Sequence, residues 1–273
     1  MVYLSLFRLL LYYNTPADLA SKIYHPFDIF FIYYTMIGVI DSGMGGLSTL
    51  AALIESGADN AFAYYADVGH APYGNKPRLE VMALVREGCE RLAEKGATKL
   101  VLACNTASTA ALRYLRKTTD WAVFGVLPPV ERALALGGKS LLLGTALTTS
   151  RYRETDGFRA LPLPELATLV DRDYPDVDAI ETYCRERLDG VGEVDNLILG
   201  CTHYVLIKDV LCRIVKPKNI LDGNAELLSA IGAPAPSATG RSAKKGVSVD
   251  VLSSGKIDRE RYARTLERLV REK

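Results

Sequence analysis

From Met36 onward the chain alternates short apolar runs with amphipathic stretches, and this repeat restricts it to a parallel α/β sheet more sharply than any other feature. "MIGVID" leads through a glycine-rich turn into "LSTLAALIESG", "NAFAYYAD" leads through "VGHAPYGNKP" into "RLEVMALVREGCERLAEKG", and "TKLVLACN" feeds "TASTAALRYLRK". A second series starts near "WAVFGVLPPVERALAL", continues through "KSLLLGTALTTSRY" and ends in "VDNLILGCTHYVLIKDVLCRIV". Polar residues gather at the strand ends. In open parallel sheets the ligand crevice lies at the carboxyl ends of the strands.

Two of those ends carry a cysteine, Cys104 in "LVLACNTAST" and Cys201 in "LILGCTHYVL", 97 residues apart. The echo reads as a duplicated α/β unit with one thiol per unit facing a common cleft. Cys89, Cys184 and Cys212 fall instead on apolar helical faces and read as core. For Cys104 and Cys201 packing and chemistry are both open, although the recurring context favours chemistry. At a helix amino terminus unpaired N–H groups favour thiolate and are expected to depress the thiol pKa from its free value of about 8.5. Asn105 or Thr106 is expected to cap the helix that follows Cys104.

His203 is either a proton partner of Cys201 or a satisfied helix-start histidine. A metal is disfavoured, since no further close ligands accompany that pair. His70 reads as a surface residue, and His25 lies in the atypical amino-terminal segment. "DSGMGG", residues 41–46, brings backbone amides towards a ligand but matches neither the dinucleotide fingerprint nor the P-loop. Asp41 at its head would repel a phosphate. A carboxylate beside backbone donors suits a zwitterion, pairing with its ammonium while the amides hold its carboxylate.

Bulk charge excludes other classes of partner. Thirty-three basic against 32 acidic residues leave a net charge of +1, which argues for neither nucleic acid nor an anionic membrane. Five cysteines without a C-x-x-C pair or an evident cleavable signal point to free thiols in a reducing cytoplasm. Residues 1–36 differ in kind: they hold six of the 15 tyrosines and none of the 22 glycines. Their apolar runs are broken well short of the roughly 20 residues that span a bilayer, so stable membrane insertion is not expected. They read as a hydrophobic extension preceding a domain that opens at Met36.

Taken in order, "IGVIDSGMGGLSTL", "YADVGHAPYGNKP", "LVLACNTAST", "GVLPPVERAL", "LGTALTTSRY" and "LILGCTHYVLIKDV" resemble the cofactor-independent glutamate racemases of the aspartate/glutamate racemase superfamily, over residues 37 to about 230. The resemblance implies two similar parallel-sheet α/β domains facing each other across a central cleft, the first formed by 37–127 plus 213–273 and the second by 128–212. It implies Cys104 and Cys201 as the two catalytic bases, with Asp41 and His203 assisting proton movement at the respective thiols. Asp41, Ser42, Tyr73, Gly74, Asn105, Thr106, Thr145, Thr148, Thr202 and His203 would contact substrate or support the thiols. The expected substrate is glutamate, with no cofactor, and the D-isomer would supply peptidoglycan. A relative acting on aspartate and a non-catalytic glutamate-binding regulator are the competing readings; a homodimer is compatible with the sequence.

Two positions depart from the family. Its histidine is partnered by a glutamate that follows a proline-flanked apolar stretch, whereas the corresponding region here, "LATLVDRDYPDVDAIETYC", offers several acids and no motif to choose among them. Val205 stands where a proline commonly follows the Cys-Thr-His-Tyr motif.

Overall fold

Residues 36–59, 61–172, 175–233 and 247–271 are described by the computed structural model. The extension expected over 1–36 therefore lies outside the described residues up to Met36, as do residues 234–246.

Strand β1, Met36–Asp41, buries Ile37, Val39 and Ile40, as a continuous apolar run must when both faces of a parallel sheet are covered. The chain continues through α1 (Leu47–Ser56), β2 (Ala61–Ala66), α2 (Arg78–Glu94), β3 (Lys99–Leu102), α3 (Asn105–Thr118) and β4 (Ala122–Gly125). Near the carboxyl terminus β9 (Ser248–Ser253) joins these strands in a fully parallel sheet of order β4-β3-β1-β2-β9.

The second sheet follows the same scheme. After α4 (Val130–Ala135) come β5 (Ser140–Gly144), α5 (Ala146–Thr149), β6 (Phe158–Pro162), α6 (Leu166–Asp171), α7 (Val177–Leu188), β7 (Asn196–Gly200), α8 (Thr202–Val205), α9 (Lys208–Val215) and β8 (Asn219–Leu221). These strands too are all parallel, in the order β6-β5-β7-β8. Strand β8 belongs to this second sheet although it falls inside 213–273, the segment expected with the first domain. Asn219 and Ile220 are exposed, so the short apolar signature that marks the other strands is missing there. Beyond β8 the chain forms α10 (Asn224–Ile231) and, after β9, α11 (Arg259–Arg271).

Each sheet has one place where the chain changes direction. In the first, β2 adds to one side of β1 and β3 to the other; in the second, β6 and β7 flank β5 in the same way. Helices on opposite faces diverge at such a switch and leave a crevice beyond the strand ends. The residues leaving β1 and β3 are Asp41 and Cys104, and those leaving β5 and β7 are Thr145 and Cys201. Cys89 and Cys184 are buried in apolar clusters and Cys212 is half-buried.

Candidate active site

The two crevices face one cavity of about 240 Å³. It is lined by Ser42, Tyr73, Gly74, Cys104, Thr106, Thr145, Cys201 and His203 from the set expected on sequence, joined by Thr168, Asp171 and Arg172 around the end of α6. Asp41, Asn105, Thr148 and Thr202 are buried behind that wall.

Short polar contacts tie the two halves together around the cavity. Thr202 Oγ1 donates to Asp41 Oδ1 at 3.2 Å, and the Thr106 and Thr145 hydroxyls lie 2.9 Å apart. Thr145 caps α5, accepting from the Thr148 amide and donating to the Thr148 hydroxyl at 3.1 Å, which fixes both threonines. Asp41 also accepts from the Gly43 amide at 2.9 Å, while Tyr64 Oη donates to the Gly43 carbonyl at 2.8 Å. Glycine is required in this loop because the other half approaches it so closely. A Cβ on Gly43 would sit 2.3 Å from Asp171 Oδ2, and one on Gly45 would sit 2.6 Å from Thr202 Oγ1 and 2.7 Å from His203 Nδ1.

The two thiols have different surroundings. Cys104 is itself the N-cap residue of α3, so the expected cap by Asn105 or Thr106 does not form. Asn105 Nδ2 instead reaches the Val126 carbonyl at 3.4 Å, and Thr106 turns to Thr145 across the cleft. The expected depression of the thiol pKa is also overturned. Burial, reinforced by the Asp41 carboxylate, pushes the Cys104 thiol up to about 12, and the amides of Ala107 and Thr106 only partly counter it. Asp41 is itself raised by burial, against the opposing pull of His203 and the Gly43 amide. Cys104 thus rests as a thiol.

The thiolate, not the thiol, is alkylated. With Cys89, Cys184, Cys201 and Cys212 replaced by alanine, the iodoacetamide rate at Cys104 is expected to keep rising about tenfold per pH unit up to pH ~10. A plateau near pH ~8.5 would instead show the amides of α3 to dominate.

On the opposite side His203 Nδ1 lies 3.9 Å from Cys201 Sγ, and its Nε2 lies 3.5 Å from Asp171 Oδ1. The latter is an ion-pair separation without hydrogen-bond alignment, which leaves Nε2 otherwise unpartnered. Burial alone would lower the imidazole pKa. Asp171, followed by Cys201, outweighs it and holds His203 well above its ordinary 6.5. Asp171 is the acidic partner that the sequence does not single out. It stands among Asp173, Asp176, Asp178 and Glu181, and its one local cue is its position ending the apolar face made by Leu166, Ala167 and Val170. Its Oδ1 also accepts from the Met44 amide at 3.3 Å, so the glycine loop orients it.

Tyr73 is held by a third carboxylate. Its hydroxyl donates to buried Asp67 at 2.5 Å, and the same residue takes His70 Nδ1 at 2.8 Å. His70 is exposed, as expected, yet it braces the loop bearing Tyr73. Among the described residues no group of three or more His, Cys, Asp or Glu side chains is arranged to hold a metal ion, and no helix is long and apolar enough to cross a membrane.

Comparison with other proteins places this arrangement among relatives. The glutamate racemase of Leptospira borgpetersenii serovar Hardjo-bovis (strain JB197) is 38% identical over 202 residues, covering 69% of this chain and 78% of its own length. That of Leptospira interrogans serogroup Icterohaemorrhagiae serovar copenhageni (strain Fiocruz L1-130) is 35% identical over 237 residues, covering 81% and 92%. Among solved structures, glutamate racemase from Thermus thermophilus in complex with beta-chloro-D-alanine superposes with a TM-score of 0.64 at 34% identity, over 86% of this chain and 93% of that one. Escherichia coli glutamate racemase in complex with L-glutamate and the activator UDP-MurNAc-ala gives 0.70 at 25% identity, over 86% and 95%. No family model matches the chain.

Proposed function

The chain belongs to the glutamate racemase family, and from that premise we propose that it interconverts L- and D-glutamate by proton transfer between two thiols on opposite faces of the α-carbon. The observation that carries this reading is the placement of Cys104 and Cys201 at the two switch points, lining one cavity. Racemisation takes a proton from one face and returns one to the other, so it needs two acid/base groups with the reacting carbon between them. One thiol acting alone tends to restore the original hand.

The unequal surroundings of the thiols support different resting roles for them. Cys104, held protonated by burial and by Asp41, is the donor that awaits a carbanion. Cys201, beside a histidine whose pKa is raised, is the base of the opposite face, and the family resemblance implies that it removes the α-proton of L-glutamate. D-glutamate runs the cycle in reverse: Cys104 abstracts and Cys201 donates. Asp41 serves proton movement at Cys104, and the His203–Asp171 pair serves Cys201. Charge that develops on the substrate carboxylate is met by hydroxyls fixed beforehand, Thr106 and Thr145 at the wall with Thr202 behind them. Their orientation is set by hydrogen bonds already present, so little reorganisation accompanies the reaction.

The domains we assign to this cycle are the two halves built on the two sheets, with β8 in the second. The product's use in peptidoglycan and the cytoplasm as its site of action belong to the same reading. The test is the loss of circular dichroism from L-glutamate, with L-aspartate as control, followed in D2O by mass spectrometry. Racemisation of glutamate with deuterium entering the α-position is expected. Turnover of aspartate alone would indicate the relative with another substrate. Glutamate binding without exchange would leave the regulator.

A further inference from the structure

Resting on the two-thiol reading, we infer that Arg261 of the carboxyl-terminal helix is a positioning residue for the Cys201 half of the site, acting by holding the end of α6 that bears Asp171.

Helix α6 is only six residues long, and its last carbonyls have no partner within the helix. Arg261 supplies one from another part of the fold. Its Nη1 donates to the Asp171 carbonyl at 3.1 Å, and Nη2 makes a longer contact of 3.5 Å with the Val170 carbonyl. A cation at the carboxyl end of a helix also complements the partial negative charge there. Directly after this clamp the backbone leaves the helical region at Arg172, with φ −57° and ψ 148°. The Asp171 carboxylate, which approaches His203 Nε2, therefore projects from a helix end fixed by Arg261.

The arginine is itself well anchored. Its amide donates to Asp258 Oδ1 at 2.9 Å. The neighbouring Tyr262 is buried and packs edge-on against Tyr64 with ring centroids 6.3 Å apart, and the Tyr64 hydroxyl holds the Gly43 carbonyl. The same turn of α11 is thus tied to the glycine loop of the first half and to the Asp171 segment of the second. Among the described residues Asp171 acts on His203 at Nε2, Cys201 at Nδ1, and Asp41 through space. Of these, Asp171 is the one whose backbone carbonyl accepts from Arg261.

Arg261→Met keeps the apolar stem and removes the donors. Its expected effect is a ten- to hundredfold fall in kcat/KM (an order-of-magnitude figure for a misplaced catalytic group), together with a downward shift of the His203 titration midpoint read by NMR. In an Asp171→Asn background the same substitution should change neither readout further, because the effect passes through that carboxylate. Arg264→Met, which removes an exposed cation of the same helix that pairs with Glu260, should leave both unchanged. An unmoved His203 midpoint in Arg261→Met, or losses that add to those of Asp171→Asn, would overturn the inference. If Arg261→Met fails to melt cooperatively, Arg261→Lys carries the same test with a smaller shift of the midpoint. The titration needs no turnover, so a chain that racemises no glutamate would refute the two-thiol reading while the Arg261 contact is still judged.

Discussion

Cys104→Ala and Cys201→Ala each abolish racemisation of glutamate, with kcat falling by about 10³-fold or more, beyond the middle of the range for a single acid/base group. The loss is expected to be this large because neither thiol has a substitute: His203 is packed against Cys201 on that side of the cavity, and Asp41 lies behind the cavity wall. Both residues are small and buried, and alanine removes one sulfur from each environment, so folding should survive. Thermal melts close to wild type would certify that the loss is chemical. The measurement is the circular dichroism assay run from each enantiomer. Full activity in either variant refutes the two-base cycle.

Gly45→Ala is also expected to cost activity heavily, on the order of a hundredfold, although residue 45 carries no functional group. Its Cβ would have to share space with Thr202 Oγ1, His203 Nδ1 and the His203 amide, all within 2.8 Å. Because one of those atoms is backbone, a rotamer change cannot relieve the clash, and α8 must move away from the loop. Overpacking of this kind destabilises by about 1 to 3 kcal/mol. The larger consequence is catalytic, since a displacement of roughly 1 Å at a reacting group costs on the order of a hundredfold. Thermal denaturation and kcat/KM measured on the same preparation separate the two. A variant that melts several degrees lower yet retains wild-type kcat/KM would show that the site does not depend on this approach.

How far the sequence carries can be followed residue by residue. Strands such as "MIGVID" and "NLILG" are legible because burial on both faces demands uninterrupted apolar runs. Cys104 and Cys201 are legible because each stands where such a run gives way to a helix. Strand β8 is harder to read, being three residues long with its first two exposed. The protonation of Cys104 is illegible for another reason. Local sequence displays the helix amides that favour a thiolate, whereas the burial and the Asp41 carboxylate that overrule them exist only after β1 and β3 are set side by side. Asp171 is the same case in stronger form. Its role comes from the Met44 amide, 127 residues away, and from His203 on a different helix.

The contacts that cross the cleft have a consequence for traffic through it. Cys104 is 6% and Cys201 7% exposed, so the sulfurs lie deep in the cavity, and any parting of the halves that widens the way to them acts on the contacts that cross it. Parting breaks the Thr202–Asp41, Thr106–Thr145, Met44–Asp171 and Arg261–Asp171 contacts together. At a net contribution of about 1 kcal/mol each, the open form is populated on the order of one molecule in a thousand. The bonds that orient the acid/base groups are thus also the latch on the door. Any substitution that tightens them should sharpen the chemistry while slowing release, so the fastest enzyme is the one whose latch is neither strongest nor weakest.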